Sequence, residues 1–245
     1  MFCDTHCHIL SEYYDDINAI LEESKEAGVS RVINAGYNYE SSKEVIELVK
    51  KYPEMYGVVG LHPENISEDF DYTIFDNLDK KIVGIGEIGL DYHYTKDNKN
   101  KQIEVFERQL DIAEKLNLPV VIHSREAAGD TLEILKRHHN FGVIHSFSGS
   151  LEMAKEYIKL GFVLGVNGVV TFKNCNLGDT LKNIDINSII LETDSPYLTP
   201  VPFRGTQNNP GKMINTAKFV ADIYGVSLEE LAKITNQNIK RIFDI

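Results

Sequence analysis

The chain has 245 residues, with 25 Lys and Arg against 37 Asp and Glu, for a formal net charge of −12. Its 42% hydrophobic and 25% charged residues match a folded globular chain and exclude extensive disorder. No apolar run approaches the ~18–20 residues needed to span a bilayer, and the acidic balance does not steer the protein toward nucleic acid or anionic lipid, though it leaves room for a small phosphate site with its own positive charge.

Met1-Phe-Cys-Asp-Thr-His-Cys-His8 has neither a basic nor an apolar leader segment. Cys3, Cys7 and Cys175 make no disulfide framework and no Cys-x-x-Cys pair. A reduced, cytoplasmic setting is therefore expected.

Short β-type runs recur along the chain. They read Phe2–His8, Arg31–Ala35, Tyr56–Gly60, Ile82–Glu87, Val120–His123, Val143–His145, Phe162–Val166 and Ile189–Thr193. Segments of helical periodicity lie between them. The first carries Ile17, Ile20, Leu21 and Ser24 on one face and stops at Gly28, and another carries Phe106, Leu110 and Ala113. Strands alternating with helices in this way predict an α/β fold, a TIM (β/α)8 barrel, with a doubly wound open sheet as the rival. The barrel is preferred because functional-looking residues end most strands instead of clustering at one switch point. Ser227-Leu-Glu-Glu230 is a capping box opening an extra C-terminal helix, with Leu231, Ile234 and Ile242 on roughly one face. No linker or low-complexity stretch divides the chain, so one domain over 1–245 is expected.

His6 and His8 sit two apart on the first strand, so they point to one side, with Asp4, while Cys7 points to the other. Two imidazoles on one face can grip a metal, with Asp4 hydrogen-bonding one of them. The plainer reading is two partly buried, hydrogen-bonded histidines. His123, His145 and Asp194 each close an apolar strand. In a barrel those ends meet at one face, and burying so many unpaired polar groups for packing alone would be costly.

Gly84-Ile-Gly-Glu-Ile-Gly89 matches the G-x-G-x-x-G string of dinucleotide sites. That reading fails because no helix opens at the third glycine; Asp91-Tyr-His-Tyr-Thr-Lys-Asp-Asn98 reads as a loop, and Glu87 would face the pyrophosphate. A carboxylate there can instead bridge two divalent ions. His62 follows a strand, Arg125 follows His123, and Arg204 and Asn208 follow the last strand; beside a bimetal centre such groups suit a phosphate-like anion, and otherwise they order loops. Tyr92 is a candidate for stacking on a base, whereas His93, His138 and His139 read as surface residues.

With these motifs in this order, the sequence resembles the TatD family of metal-dependent deoxyribonucleases, within the amidohydrolase superfamily. The resemblance covers the whole chain. It rests on Asp4-Thr-His-Cys-His8, Gly60-Leu-His-Pro63, Gly86-Glu-Ile-Gly-Leu-Asp-Tyr92, Ile122-His-Ser-Arg-Glu-Ala127, His145-Ser-Phe-Ser-Gly149, Glu192-Thr-Asp-Ser-Pro196 and Arg204-Gly…Asn-Asn-Pro210. It implies a TIM barrel with one metal on His6, His8 and Asp194, a second on His123 and His145, and Glu87 between them. Many other amidohydrolases carry a carboxylated lysine where this chain has Glu87. Leu10 departs from the family's usual Asp or Asn, but no expected ligand is lost.

The function implied is divalent-metal-dependent hydrolysis of a phosphodiester, as a deoxyribonuclease working from single-stranded or frayed DNA ends. Asp194, Glu87, His62 and Arg204 are the expected catalytic residues and two divalent cations the cofactors. Imidazole-rich ligation suits Zn, Ni, Co or Fe, whereas phosphodiesterases often use Mg or Mn. Hydrolysis of another ester or amide, such as an aminoacyl-tRNA bond, is the alternative within the class. A non-catalytic partner-binding barrel is the alternative outside it. The expected partner is DNA or another nucleic-acid phosphodiester, with no membrane, for a monomeric protein.

Overall fold

The computed structural model describes residues 1–93 and 97–245. The strands are β1 (Phe2–Cys7), β2 (Val29–Ala35), β3 (Met55–Val59), β4 (Ile82–Asp91), β5 (Val120–Arg125), β6 (Gly142–Ile144), β7 (Phe162–Val166) and β8 (Ile189–Leu191). All pair in parallel, in sequence order from β1 to β8. This is the order of a TIM barrel and not of a doubly wound sheet, whose order reverses at a switch point. Across the last gap, Asp194 N–H donates to His6 O at 2.9 Å, His8 N–H to Ser195 O at 2.7 Å, and the Thr5 hydroxyl to Leu191 O at 2.9 Å.

The helices are α1 (Ile17–Glu26), α2 (Tyr39–Lys51), α3 (Lys99–Leu116), α4 (Ala128–Leu135), α5 (Leu151–Lys159), α6 (Leu177–Leu181), α7 (Met213–Tyr224) and α8 (Leu228–Phe243). In α1 the Asp16 side chain caps the Ala19 N–H, and Leu21 and Ser24 are buried. Its end falls just before Gly28, at φ +101°. The expected helix between β3 and β4 is absent, and two 3-10 turns, Pro63–Asn65 and Tyr72–Phe75, replace it. Its sequence explains this: Pro63 and the Glu68-Asp-Phe-Asp71 run break any apolar stripe, and the Asp71 carboxylate binds the Thr73 N–H and hydroxyl locally.

One apolar cluster takes at least one side chain from every strand, among them Cys3, Ile33, Val58, Val121, Val163 and Ile190, and joins them to Ile239, Ile242 and Phe243 of α8. This is the barrel interior, and α8 closes it. The helix lies at the end where strands begin: Asn236 Nδ2 donates to Met1 O, and Asn238 Nδ2 to Ile189 O. Its buried stripe differs from the expected one. Leu231 and Ile242 belong to it, but Ile234 is only half-buried, and Thr235 and Asn238 are buried with their side chains bonded to backbone carbonyls. The Ser227 hydroxyl accepts from Glu230 N–H, the Ser half of the expected box. With one mouth closed by α8, the other is left for chemistry.

Strand β4 runs four residues past its expected end, so Glu87 lies within it and Asp91 is strand, not loop. Of the expected loop, residues 94–96 lie outside the described residues. The three glycines of the dinucleotide-like string have another explanation. A Cβ on Gly84 would lie 2.9 Å from Pro119 O, one on Gly86 3.0 Å from Val121 O, and one on Gly89 1.9 Å from His123 O. These are alternate carbonyls along β5 and its approach, so the glycines let β4 press against β5. Gly89 also sits at φ +144°, where L side chains are strained. Gly89→Ala is expected to cost about 2 kcal/mol or more in denaturant unfolding, combining backbone strain with displacement of the His123 peptide; a midpoint equal to wild type would refute this packing account.

Candidate metal centre at the open mouth of the barrel

The residues singled out in the sequence arrive from six strands. His6 lies in β1 and His8 one residue past it; His62 follows β3; Glu87 lies in β4 and His123 in β5; His145 follows β6 and Asp194 follows β8. Nitrogens of five imidazoles surround the Glu87 carboxylate. Oε2 is 3.3 Å from His6 Nε2 and 3.8 Å from His8 Nε2. Oε1 is 2.9 Å from His123 Nδ1, 3.6 Å from His62 Nε2 and 3.7 Å from His145 Nε2. The Asp194 carboxylate stands 3.5–3.8 Å from His8, His145 and His6.

Asp194 has φ +58°, a conformation Asp tolerates better than most residues. That turn lets its N–H reach His6 O while its carboxylate faces the imidazoles. Its side chain is 16% exposed against 5% for Glu87, so Asp194 is the carboxylate that meets solvent.

Each of three imidazoles is oriented through its far nitrogen. His8 Nδ1 lies 2.9 Å from Ala35 O. His123 Nε2 lies 2.9 Å from the buried Asp91 carboxylate. His145 Nδ1 lies 3.0 Å from Glu192 Oε1, an ion-pair contact outside hydrogen-bond geometry. These contacts aim the other nitrogen at Glu87 or Asp194, the arrangement found around metal-bound histidines. Asp4, expected to orient an imidazole, does not. It accepts from Thr193 N–H at 2.9 Å, the Thr193 hydroxyl at 2.5 Å and His6 N–H, and so ties β1 to the segment after β8.

His62 differs from the others. Its Nδ1 accepts from Glu64 N–H at 3.2 Å. A neutral ring accepting there carries its proton on Nε2, the atom facing Glu87. His62 Nε2 faces Glu87 Oε1 at 3.6 Å, beyond hydrogen-bond distance, and His62, Glu87 and His123 form a further group whose donor atoms lie within 4.8 Å of one another.

The charges agree with this geometry. Burial raises the Glu87 carboxyl, but His145, His62, His6 and His123 outweigh it and hold the pKa well below the ordinary value. Burial lowers His123, but Asp91 and Glu87 lift it to about 9; burial lowers His145, but Glu192, Glu87 and Asp194 lift it to about 10. Divalent cations fit the same donor set, because His6, His8 and Glu87, and likewise His6, His145 and Asp194, place one donor atom each within 4.8 Å of one another. The His6 Nδ1 atom is buried with no hydrogen-bond partner.

Two expected anion-holding residues separate here. Arg125 lines the cavity above the cluster. Arg204 does not; its guanidinium packs 4.0 Å from the centre of the Phe172 ring, a cation–π contact on the exposed loop after β8. The buried Asn208 orders that loop, donating to Thr193 O and Tyr197 O. Tyr92 is also turned away from the cluster, its hydroxyl on Asp130 and Lys99 over its ring. His93 and His139 are exposed and His138 half-buried, each away from the centre.

A barrel with imidazoles and carboxylates gathered at the C-terminal mouth is the architecture of a metal-dependent hydrolase. The chain belongs to the TatD family, whose profile, described as TatD related DNase, matches residues 3–244. It is 37% identical to the metal-dependent hydrolase YabD of Bacillus subtilis (strain 168), over 100% of both chains. It is 34% identical to the metal-dependent hydrolase YcfH of Escherichia coli (strain K12), over 99% of this chain and 95% of that protein. The crystal structure of YjjV, a TatD homologue from Escherichia coli K12, superposes with a TM-score of 0.94 at 29% identity, covering 100% of this chain and 98% of that one.

Glu192 was visible in the sequence only as part of a motif. It is fully buried, and the absent side chain of Gly165 makes its space: a Cβ there would lie 2.2 Å from Glu192 Oε2. Glu192→Ala, and Gly165→Ala acting from the opposite side, should each weaken metal binding about 10–100-fold by releasing His145, with circular dichroism unchanged. Titration of chelator-stripped protein with Co2+ measures this, and wild-type affinity in both variants would reduce Glu192 to a packing residue.

Proposed function

We infer that the protein hydrolyses phosphodiester bonds of nucleic acid, removing nucleotides from single-stranded or frayed DNA ends with two divalent cations bound at the cluster. The observation carrying this reading is the set of five imidazoles around one buried carboxylate, with a second carboxylate open to the cavity. In the proposed assignment His6, His8 and Asp194 would hold one ion, His123 and His145 the other, and Glu87 would serve both. When bound, such ions lower the pKa of the attacking water and offset charge on the phosphate.

The chain's own groups divide the remaining work. Asp194, the solvent-facing carboxylate, takes the proton of the attacking water. His62 Nε2–H, held by Glu64 N–H on its far side, donates to a non-bridging phosphate oxygen. Arg125, on the cavity wall, holds the anion. A cavity of about 750 Å³ lies above the cluster, a volume suited to a few nucleotide units, which supports action on a strand end.

Chelation should abolish hydrolysis of a single-stranded oligodeoxynucleotide while leaving the thermal transition cooperative, since the apolar interior of the barrel contains none of the proposed ligands. Glu87→Ala should lower metal content below that of His145→Ala, as a shared ligand must, and cut turnover by about two orders of magnitude or more. Full occupancy with near-normal turnover in Glu87→Ala would overturn the assignment.

The two arginines give a separate check. Arg125→Ala should raise KM for DNA about tenfold, whereas Arg204→Ala should change it less than about twofold, because its guanidinium is engaged on Phe172. Steady-state kinetics on one oligonucleotide decides between them, and the reverse order would restore Arg204 to the site.

A further inference from the structure

The cavity is much larger than a phosphate, and its walls differ. One side carries Glu64, Asn65, Asp91 and Arg125, all polar. The other carries Tyr13, Tyr37 and Tyr197. These tyrosines follow β1, β2 and β8, which are adjacent in the closed barrel, so they form one continuous wall.

A chain of hydroxyls fixes the wall. Tyr37 donates to the Glu12 carboxylate, the Tyr13 and Tyr37 hydroxyls are 3.3 Å apart, and the Tyr197 hydroxyl donates to that of Tyr13 at 3.2 Å. A carboxylate only accepts, so the proton direction runs from Tyr197 through Tyr13 and Tyr37 to Glu12. The ring of Tyr197 meets Tyr13 edge-on at 5.8 Å, and Tyr37 meets the ring of His8 edge-on at 5.7 Å. The wall therefore stands directly beside the metal cluster. Tyr197 is nevertheless 51% exposed. An aromatic face that is held rigidly, opens into a cavity and remains uncovered is the surface on which a flat ring stacks at little entropic cost.

The geometry points to a nucleobase subsite: the base beside the cleaved phosphodiester stacks on Tyr197 along the Tyr13–Tyr37 wall while its phosphate sits over the histidine floor. This rests on the phosphodiesterase reading above. A nucleobase fits better than an alkyl or acyl chain, because the hydroxyls along the wall can meet the polar edge of a base. Stacking uses the π face common to all bases, so the subsite accepts any of them.

The test uses the full-length protein, loaded with Mn2+ and checked for metal content. Two single-stranded oligodeoxynucleotides are compared, one normal and one whose terminal nucleotides carry tetrahydrofuran abasic residues. Wild type should cleave the normal strand with kcat/KM about tenfold higher, mostly through KM. Tyr197→Ala should lose that factor on the normal strand and change little on the abasic one. Tyr197→Phe, which keeps the ring and loses the hydroxyl, should retain most of it. Equal rates on both strands in wild type would overturn the subsite. So would an equal loss on both strands in Tyr197→Ala, or a Phe variant as poor as the Ala variant.

If neither strand is cut, the phosphodiesterase reading falls and the subsite is judged by binding. Isothermal titration calorimetry measures this without relying on the tyrosine that is removed. Binding of dAMP about tenfold tighter than 2-deoxyribose 5-phosphate in wild type, with the difference lost in Tyr197→Ala, supports the subsite; equal affinities overturn it.

Discussion

A single buried carboxylate sets the terms for this molecule. Glu87 is 4% exposed, and an ionised carboxylate in such surroundings is costly unless hydrogen-bond donors or cations surround it. The partners are five imidazoles, and no one segment supplies them. They come from the region of β1, from β5, and from the segments after β3 and β6. The barrel brings these ends together, and it does so only if the β8 to β1 gap closes. There the backbone bonds from Asp194 to His6 and from His8 to Ser195 act as both fold and site, because the closing residues are the proposed ligands. The Asp4–Thr193 pair, placed beneath that junction, holds it from inside.

The division of the barrel into a stable mouth and a reactive one follows from its terminal helix. Ile239, Ile242 and Phe243 fill the end where strands begin with apolar contacts. The opposite end must then accommodate polar groups: the far nitrogens of His8, His62 and His123 are hydrogen-bonded, whereas His6 Nδ1 and His145 Nδ1 are buried without a hydrogen bond, the latter 3.0 Å from the Glu192 carboxylate. Concentrating ionisable groups at one mouth also separates the local charge of the site from that of the whole surface. A net charge of −12 acts over the whole surface and is screened beyond a Debye length, whereas the imidazoles of the cluster and Arg125 on the cavity wall act at short range.

Much of the site was legible in the sequence because a histidine or carboxylate ending an apolar run is chemically conspicuous. Residues that orient those groups were not. Asp91 looked like a loop residue, since nothing in the alternation of Ile88, Gly89 and Leu90 shows that β4 continues; the continuation depends on Gly89 fitting against His123 O. Glu192 is distinguishable from a surface acid only through Gly165, which is distant in sequence and adjacent in space. Arg204 presents the converse case. It follows the last strand as a site residue would, yet Phe172, from the preceding β/α unit, holds its guanidinium aside. Three tyrosines in separate segments carry no shared spacing, so the wall they build exists only in three dimensions, whereas Tyr92, within a motif, turns its hydroxyl to Asp130.

The same limit applies to the device that holds the outer side of the site. Gln102 and Gln109 are both buried on α3, seven residues apart, and so lie on one face of that helix. Gln109 accepts from Leu61 N–H at 2.8 Å and donates to Leu61 O at 3.0 Å. Gln102 does the same to Asp91, at 2.8 and 2.7 Å. Each amide thus replaces a missing strand neighbour for one peptide, satisfying a buried donor and acceptor together. The peptides are not arbitrary ones. Leu61 precedes His62, whose Nε2 faces Glu87, and Asp91 carries the carboxylate that orients His123. Two turns of one helix therefore fix the height of two neighbouring strand ends relative to Glu87. The β3–β4 connection has no α-helix of its own to do this, and α3 supplies the constraint from the far side of β4.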